Sequence, residues 1–300
     1  RLDCAQNKMD VTGGAVDTAK TFLTKRELGD DYNKAMNQLS ASTGATGDEL
    51  DALGESVKNI YAQNLGEDFN DVAEGLAAMG AHVIAADIHA DKAEHTAQRI
   101  RDAGGQAQTM ALDVADAAAC RAAAASVQLP AGHQLLLVNN AGLRPKHAFD
   151  SEDRDAQWQR TLSVNLDGAR NTILAFEALL AQTQGCVVNI TSLAASRAAA
   201  HSIAYSTSKA ALEMLTKTMA LELAPKGIRV NAIAPGVMLT SMTEQTRKDP
   251  KHVEYILRRI PMKRYGEPAE IAGPVAFLAS PMASYITATV LNVDGGYLAV

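Results

Sequence analysis

Three hundred residues, 47% hydrophobic and 21% charged, can bury one large core or two ordinary ones, as a globular protein does. The formal charge of −6 and the absence of any Lys/Arg cluster supply no basic field for nucleic acid. No run of about 18 apolar residues occurs, so no membrane-spanning segment is expected.

The first residues lack the charged-then-apolar pattern of a secretory leader, and Arg1 in place of Met fits a fragment or a processed chain. Cys4, Cys120 and Cys186 are scattered, without metal-ligand spacing, and read as three reduced thiols in a cytoplasmic protein. Cys186 opens an apolar run and is expected to pack in the core.

Val11-Thr12-Gly13-Gly14-Ala15 reads either as a strand end entering a phosphate-binding loop or as a simple Gly-Gly turn. Residues 19–66 have helical periodicity. Leu28, Tyr32, Ala35, Met36 and Leu39 recur along one face, and Ser42-Thr43-Gly44 ends it. A second helix starts at Thr46-Gly47-Asp48-Glu49, a Thr-x-x-Glu capping box, and carries Leu50, Leu53, Val57, Ile60 and Tyr61 up to Gly66. The spacing predicts an N-terminal helical hairpin with no catalytic cluster. From Tyr32-Asn33-Lys34-Ala35-Met36 through Lys58-Asn59-Ile60-Tyr61 to Phe69-Asn70-Asp71-Val72, the wording resembles the core of phage tail tape measure proteins. That resemblance covers residues 30–75 and implies a structural helical segment.

Beyond Asp71, helices alternate with short apolar strands. The stripe Phe69, Val72, Leu76 and Met79, closed by Gly80, predicts a helix. Strands follow at His82 to Asp87, at a run ending in Ala111-Leu112-Asp113-Val114, at Leu135-Leu136-Leu137-Val138, at Val187-Val188-Asn189-Ile190, at Arg229 to Ile233 and at Val290 to Val293. Long helices are expected over 152–182, around Tyr205 and Lys209, and over 268–280. Strands without polar alternation, separated by helices, predict a parallel sheet covered on both faces. This is the α/β, doubly wound (Rossmann-like) architecture, with ligands at the carboxyl ends of the strands.

The residues at those ends can do chemistry. Asp87 can accept hydrogen bonds from ribose hydroxyls and repel a 2′-phosphate, favouring NAD over NADP; a helix N-cap or a solvated acid is the alternative. Asp113 can contact adenine or cap the next helix. The small Asn139-Asn140-Ala141-Gly142 lets backbone approach a cofactor, and its amides can tie strands together. Asn165 is a polar amide in apolar helical company, which calls for a specific partner. Ser192 follows a strand, and Pro235-Gly236 makes a turn near the ligand edge. Tyr205 and Lys209, four residues apart, share one helix face, where a cation can move a phenol toward a working pKa.

Together, Asn139-Asn140-Ala141-Gly142, Asn165, Ser192, Tyr205, Lys209 and Pro235-Gly236 resemble the short-chain dehydrogenase/reductase family over residues 70–300. The resemblance includes Arg264-Tyr265-Gly266-Glu267-Pro268, Tyr285-Ile286-Thr287 and Asn292-Val293-Asp294-Gly295-Gly296. It implies Tyr205 as general acid/base, Ser192 as the group on the substrate oxygen, Lys209 as the ribose ligand that lowers the Tyr205 pKa, and Asn165 in a water-linked proton relay. The cofactor contacts it implies are Asp87, Asp113, Val114, Asn140, Ala141, Gly142, Tyr205, Lys209, Pro235, Gly236, Met238 and Thr240. It also implies a small alcohol or ketone substrate and a homo-oligomer.

The family's glycine-rich phosphate loop has no counterpart ahead of the helix ending at Gly80. Gly66-Glu67-Asp68-Phe69-Asn70-Asp71 stands there, with acids where phosphate charge would sit. Aligning Thr12-Gly13 on the motif puts Asp17 and Ala19 where its later glycines belong. Residues 1–68 therefore read as an inserted hairpin, with 8–15 a remnant first strand, or as a replacement that leaves the sheet without its central strand. Two functions follow: an NAD(P)-dependent oxidoreductase, or a catalytically silent or chimeric dehydrogenase-like scaffold with a broken cofactor site.

Overall fold

The computed structural model describes residues 70–300. Residues 1–69, with the expected hairpin, the possible strand at 8–15 and Cys4, lie outside the described residues. The chain order is α1 (Asn70–Ala78), β1 (His82–Asp87), α2 (Ala90–Asp102), β2 (Gln106–Ala111), α3 (Ala117–Ser126) and β3 (Leu136–Asn139). It continues through α4 (Arg154–Leu162), α5 (Gly168–Thr183), β4 (Cys186–Ile190), α6 (Ile203–Leu223), β5 (Arg229–Pro235), α7 (Ser241–Arg247), α8 (Pro250–Arg259), α9 (Ala272–Ala279) and β6 (Val290–Val293).

All pairings between these strands are parallel, as their unbroken apolar character predicts. The reason is visible in β4, whose five residues are all buried. Val187 packs with Ile173, Leu180 and Val230 on one face, while Val188 packs with Val72, Ile233 and Val275 on the other. Helices α5 and α6 cover the first face; α1 and α9 cover the second. Helices α1 and α9 approach so closely that a Cβ on Gly75 would lie 2.4 Å from the Ala272 Cβ. A side chain there would force them apart.

The expected single sheet is two sheets among the described residues: β1–β2, and β3–β4–β5–β6. Helix α5 shows that they point the same way. Its Asn171 Nδ2 donates to the Val114 carbonyl beyond β2 at 3.0 Å, and its Thr172 Oγ1 donates to Asn139 Oδ1 at the end of β3 at 2.6 Å. The carboxyl ends of both half-sheets therefore meet one helix start. The helix expected over 152–182 is interrupted by a π-helical turn, Ser163–Asp167. That expected over 268–280 is a 3₁₀ turn, Pro268–Ile271, running into α9.

Cys186 is fully buried, as expected for a core thiol, and burial pushes its pKa up to about 11. Among the described residues, no helix is long and apolar enough to cross a membrane, and no cluster of His, Cys, Asp or Glu could hold a metal.

Candidate active site

Helix α6 places Tyr205 and Lys209 on its buried face. The Lys209 ammonium is enclosed by protein and donates to the Ile190 carbonyl at 2.7 Å. Desolvation disfavours its charge and lowers its pKa from 10.5 to about 8. Its Nζ lies 5.9 Å from the Tyr205 ring centroid.

Burial raises the Tyr205 pKa; a hydrogen bond from Ser192 and the Arg144 cation act in the opposite sense. Ser192 is held in place as the N-cap of the 3₁₀ turn Leu193–Ala195, its Oγ accepting from the Ala194 N–H at 3.1 Å. Arg144 is the functional candidate that the sequence reading missed. Its guanidinium carbon lies 5.3 Å from the Tyr205 ring centroid, and its buried Nε has no hydrogen-bond partner. A lone Arg before a Pro carries no local signal of such a position.

Asn165 occupies the π-helical turn and is 1% exposed. Its Oδ1 accepts from the Leu143 N–H at 2.7 Å, while its Nδ2 donates to the Leu143 carbonyl at 2.9 Å and to Ser208 Oγ at 3.0 Å. This amide pins the segment after β3 to helix α6. A Cβ on Gly142 would lie 3.5 Å from both Asn165 Oδ1 and Lys209 Nζ, so these groups converge behind that glycine. Asn165→Ala would leave the Leu143 groups and the Ser208 hydroxyl without this partner. A loss of about 3 kcal/mol is expected, lowering Tm by roughly 6–12 °C. Thermal unfolding followed by circular dichroism measures it; an unchanged Tm would mean that water replaces the amide fully.

Asp87, Asp113, Val114, Asn140, Ala141, Gly142 and Asn165 line one crevice at the carboxyl ends of β1 to β3. Asp87 Oδ1 accepts from the His89 N–H at 2.8 Å, but the N-cap of α2 is His89, so Asp87 is not the cap. Asp113 is not a cap either. Asp116 caps α3, its side chain accepting from the Ala118 and Ala119 N–H groups, and Asp113 accepts from the Ala115 N–H at 2.9 Å. Asn139 ties the strands as expected: its Nδ2 donates to Asn189 Oδ1 at 2.8 Å.

Ser192, Tyr205 and Lys209 lie beyond Gly142, toward the ends of β4 and β5. Pro235 ends β5, and the Gly236 N–H donates to the Val293 carbonyl at 2.9 Å. Met238 and Thr240 are buried in the turn that follows. Met238 bridges to Gly266 and its carbonyl accepts from Thr243 Oγ1 at 2.7 Å; the Thr240 N–H donates to the same hydroxyl at 3.2 Å.

This donor set fits the two nucleoside ends of a nicotinamide cofactor. Asp87 offers a carboxylate to a ribose diol, Asn140 is exposed to the crevice, and Gly142 also lines it, with the enclosed Lys209 ammonium next to that glycine. The Lys and Arg lining the crevice are Lys92 and Arg160.

Residues 70–298 match a family model described as enoyl-(acyl carrier protein) reductase. Galactitol 2-dehydrogenase (L-tagatose-forming) of Cereibacter sphaeroides is 40% identical over 230 residues, covering 76% of this chain and 89% of that protein. The 2-dehydro-3-deoxy-D-gluconate 5-dehydrogenase of Bacillus subtilis (strain 168) is 38% identical over 230 residues, with the same coverages, 76% and 89%. The crystal structure of a gluconate 5-dehydrogenase from Burkholderia cenocepacia J2315, in complex with NADP and tartrate, superposes with a TM-score of 0.72 at 32% identity, over 77% of this chain and 90% of that one. The alternating parallel fold, the Ser192, Tyr205 and Lys209 arrangement and these similarities lead to one conclusion: the chain belongs to the short-chain dehydrogenase/reductase family of oxidoreductases.

Proposed function

We propose that the chain is an NAD-dependent oxidoreductase that interconverts a secondary alcohol and a ketone, and that its substrate is an acidic sugar or polyol. The observation that carries the reading is the buried Tyr205 phenol, hydrogen-bonded to Ser192 and flanked by Arg144. A nicotinamide bound in the crevice would supply the hydride chemistry. In oxidation Tyr205 Oη accepts the alcohol proton as the hydride leaves the carbinol carbon; in reduction the phenol returns it to the carbonyl oxygen. Ser192 Oγ holds that same oxygen in line. With its pKa raised by burial, the phenol stays protonated at neutral pH, so ketone reduction finds its acid ready and alcohol oxidation speeds up toward alkaline pH.

Arg144 supports the substrate class. Its buried Nε has no hydrogen-bond partner in the protein, and a substrate carboxylate would supply one. Asp87 supports NAD, because its carboxylate would repel a 2′-phosphate.

A second reading, a silent scaffold, is favoured by the sequence Gly66-Glu67-Asp68-Phe69-Asn70-Asp71, which puts acids where the family's phosphate loop would stand. Fluorescence titration with NADH and NADPH separates the two. Tighter binding of NADH is expected, and no binding of either at millimolar concentration would leave the scaffold reading. With turnover in hand, Arg144→Gln should raise KM about tenfold for a sugar acid, the loss of roughly one charged hydrogen bond, and leave KM for a neutral polyol unchanged. Equal effects on both would remove the acidic-substrate assignment.

A further inference from the structure

Ser192 shares a hydrogen bond with Tyr205, yet it stands on a turn of only three residues, Leu193–Ala195. The Arg197 N–H donates to the Leu193 carbonyl at 2.9 Å and so joins Arg197 to that turn. The Arg197 side chain then reaches a distant part of the chain. Its guanidinium carbon lies 5.5 Å from the Tyr297 ring centroid, and its Nη1 donates to the Val300 backbone oxygen at 3.3 Å. Tyr297 is buried, and its hydroxyl accepts from the Arg259 guanidinium at the end of α8. The ring is also fixed by its own segment. Asp294 Oδ1 accepts from the Gly296 N–H and Oδ2 from the Leu298 N–H, each at 2.9 Å. The Met262 N–H donates to the Gly295 carbonyl at 3.2 Å. Tyr297 packs in one cluster with Ile256 and Ile260, and Leu193 and Val237 lie against it. Leu193 follows Ser192, and Val237 follows Gly236.

We propose that Arg197 and Tyr297 are positioning residues: they tie the Ser192 turn to α8 and so hold the Ser192 hydroxyl in line with Tyr205. The inference rests on the acid/base reading of Tyr205 and Ser192 given above. A 3₁₀ turn has poor hydrogen-bond geometry and few bonds of its own, so its direction is set by what it leans on. The bond from the Ala194 N–H to Ser192 Oγ fixes that side chain relative to the turn, but not the turn relative to Tyr205. The second placing needs contacts outside the turn, and Arg197 and Leu193 supply them. A guanidinium over an aromatic face suits the task, because the attraction depends on the cation staying close to the ring. The placing matters for rate, since a misplacement of about 1 Å can cost up to about 10²-fold. Among the described residues, neither Arg197 nor Tyr297 is in hydrogen-bond or ring contact with Tyr205 or Lys209. The route that their bonds offer to the reaction is the Ser192 turn.

The test is a set of double-mutant cycles on the turnover of the whole chain. Arg197→Met keeps the aliphatic stem and removes the cation; Tyr297→Leu keeps an apolar side chain and removes the ring. Each is expected to lower kcat about tenfold. Together they should lower it little more than either alone, because both break the same tie. Tyr297→Phe, which restores the ring beneath Arg197, should recover most of the loss. The decisive arm is a Ser192→Ala background, where neither change should lower the residual kcat further, since the hydroxyl they place is gone. Arg197 is only half-buried, so Arg197→Met carries the test if Tyr297→Leu does not fold. An unchanged kcat in Arg197→Met would overturn the inference. So would a full tenfold loss on the Ser192→Ala background, which would mark the pair as general support for the fold. A Ser192→Ala variant with wild-type kcat is a separate outcome: it would remove the acid/base reading, and the inference with it.

Discussion

Tyr205→Phe is expected to lower kcat by about 10²–10⁴-fold, the usual worth of a positioned acid/base, while leaving the fold intact. The ring is 8% exposed and Phe fills the same volume, so the packing around α6 loses nothing. What disappears is the hydroxyl that is hydrogen-bonded with Ser192 and would carry the substrate proton. Ser192 keeps its other bond, to the Ala194 N–H, so its position should hold. Turnover and far-ultraviolet circular dichroism measured together check both halves. An unchanged kcat would sink the acid/base role, and a collapsed spectrum would reassign Tyr205 to structure.

Lys209→Met should separate function from stability more sharply, because its two effects have opposite signs. Turnover should vanish with the ammonium. Stability at pH 7 should rise. The folded-state pKa, about 8, is depressed below the ordinary 10.5 of a lysine. Between those values the unfolded chain holds a proton that the folded chain has shed, so the wild type gains stability as pH climbs through this window. Below pH 8 both states hold the proton, and the folded state carries the whole desolvation cost of about 3 kcal/mol. Losing the donor to the Ile190 carbonyl offsets about 1–2 kcal/mol of that relief, leaving the variant ahead by about 1–2 kcal/mol at neutral pH. Urea unfolding at pH 7 and near pH 10 measures the gap, which should shrink at the higher pH. A wild type that is the more stable by a constant margin at both would show that the ammonium is not desolvated as the structure has it.

Much of this molecule could be read along the chain. A strand such as Cys186–Ile190 is apolar at successive positions because both its faces are covered, and that pattern survives without any knowledge of the covering helices. Tyr205 and Lys209 share a face because helical geometry is local. Asn165 announced a partner through its chemistry, but not which one. The partners are Leu143, 22 residues away, and Ser208, 43 residues away, and the π-helical turn carries the amide to both. The cap on α3 illustrates the same limit. Asp113 and Asp116 are both acids before one helix, and only the backbone path decides that Asp116 receives the two N–H groups.

The sequence by itself determined the order of the described elements, their parallel pairing and the placing of Tyr205 and Lys209 on one helix face, because periodicity is written locally. Only the tertiary structure decided that Arg144 flanks the Tyr205 ring and that Asn165 ties the segment after β3 to helix α6. Both depend on where distant segments come to rest. A side chain's neighbours across the fold are set by long-range packing that no stretch of residues encodes alone.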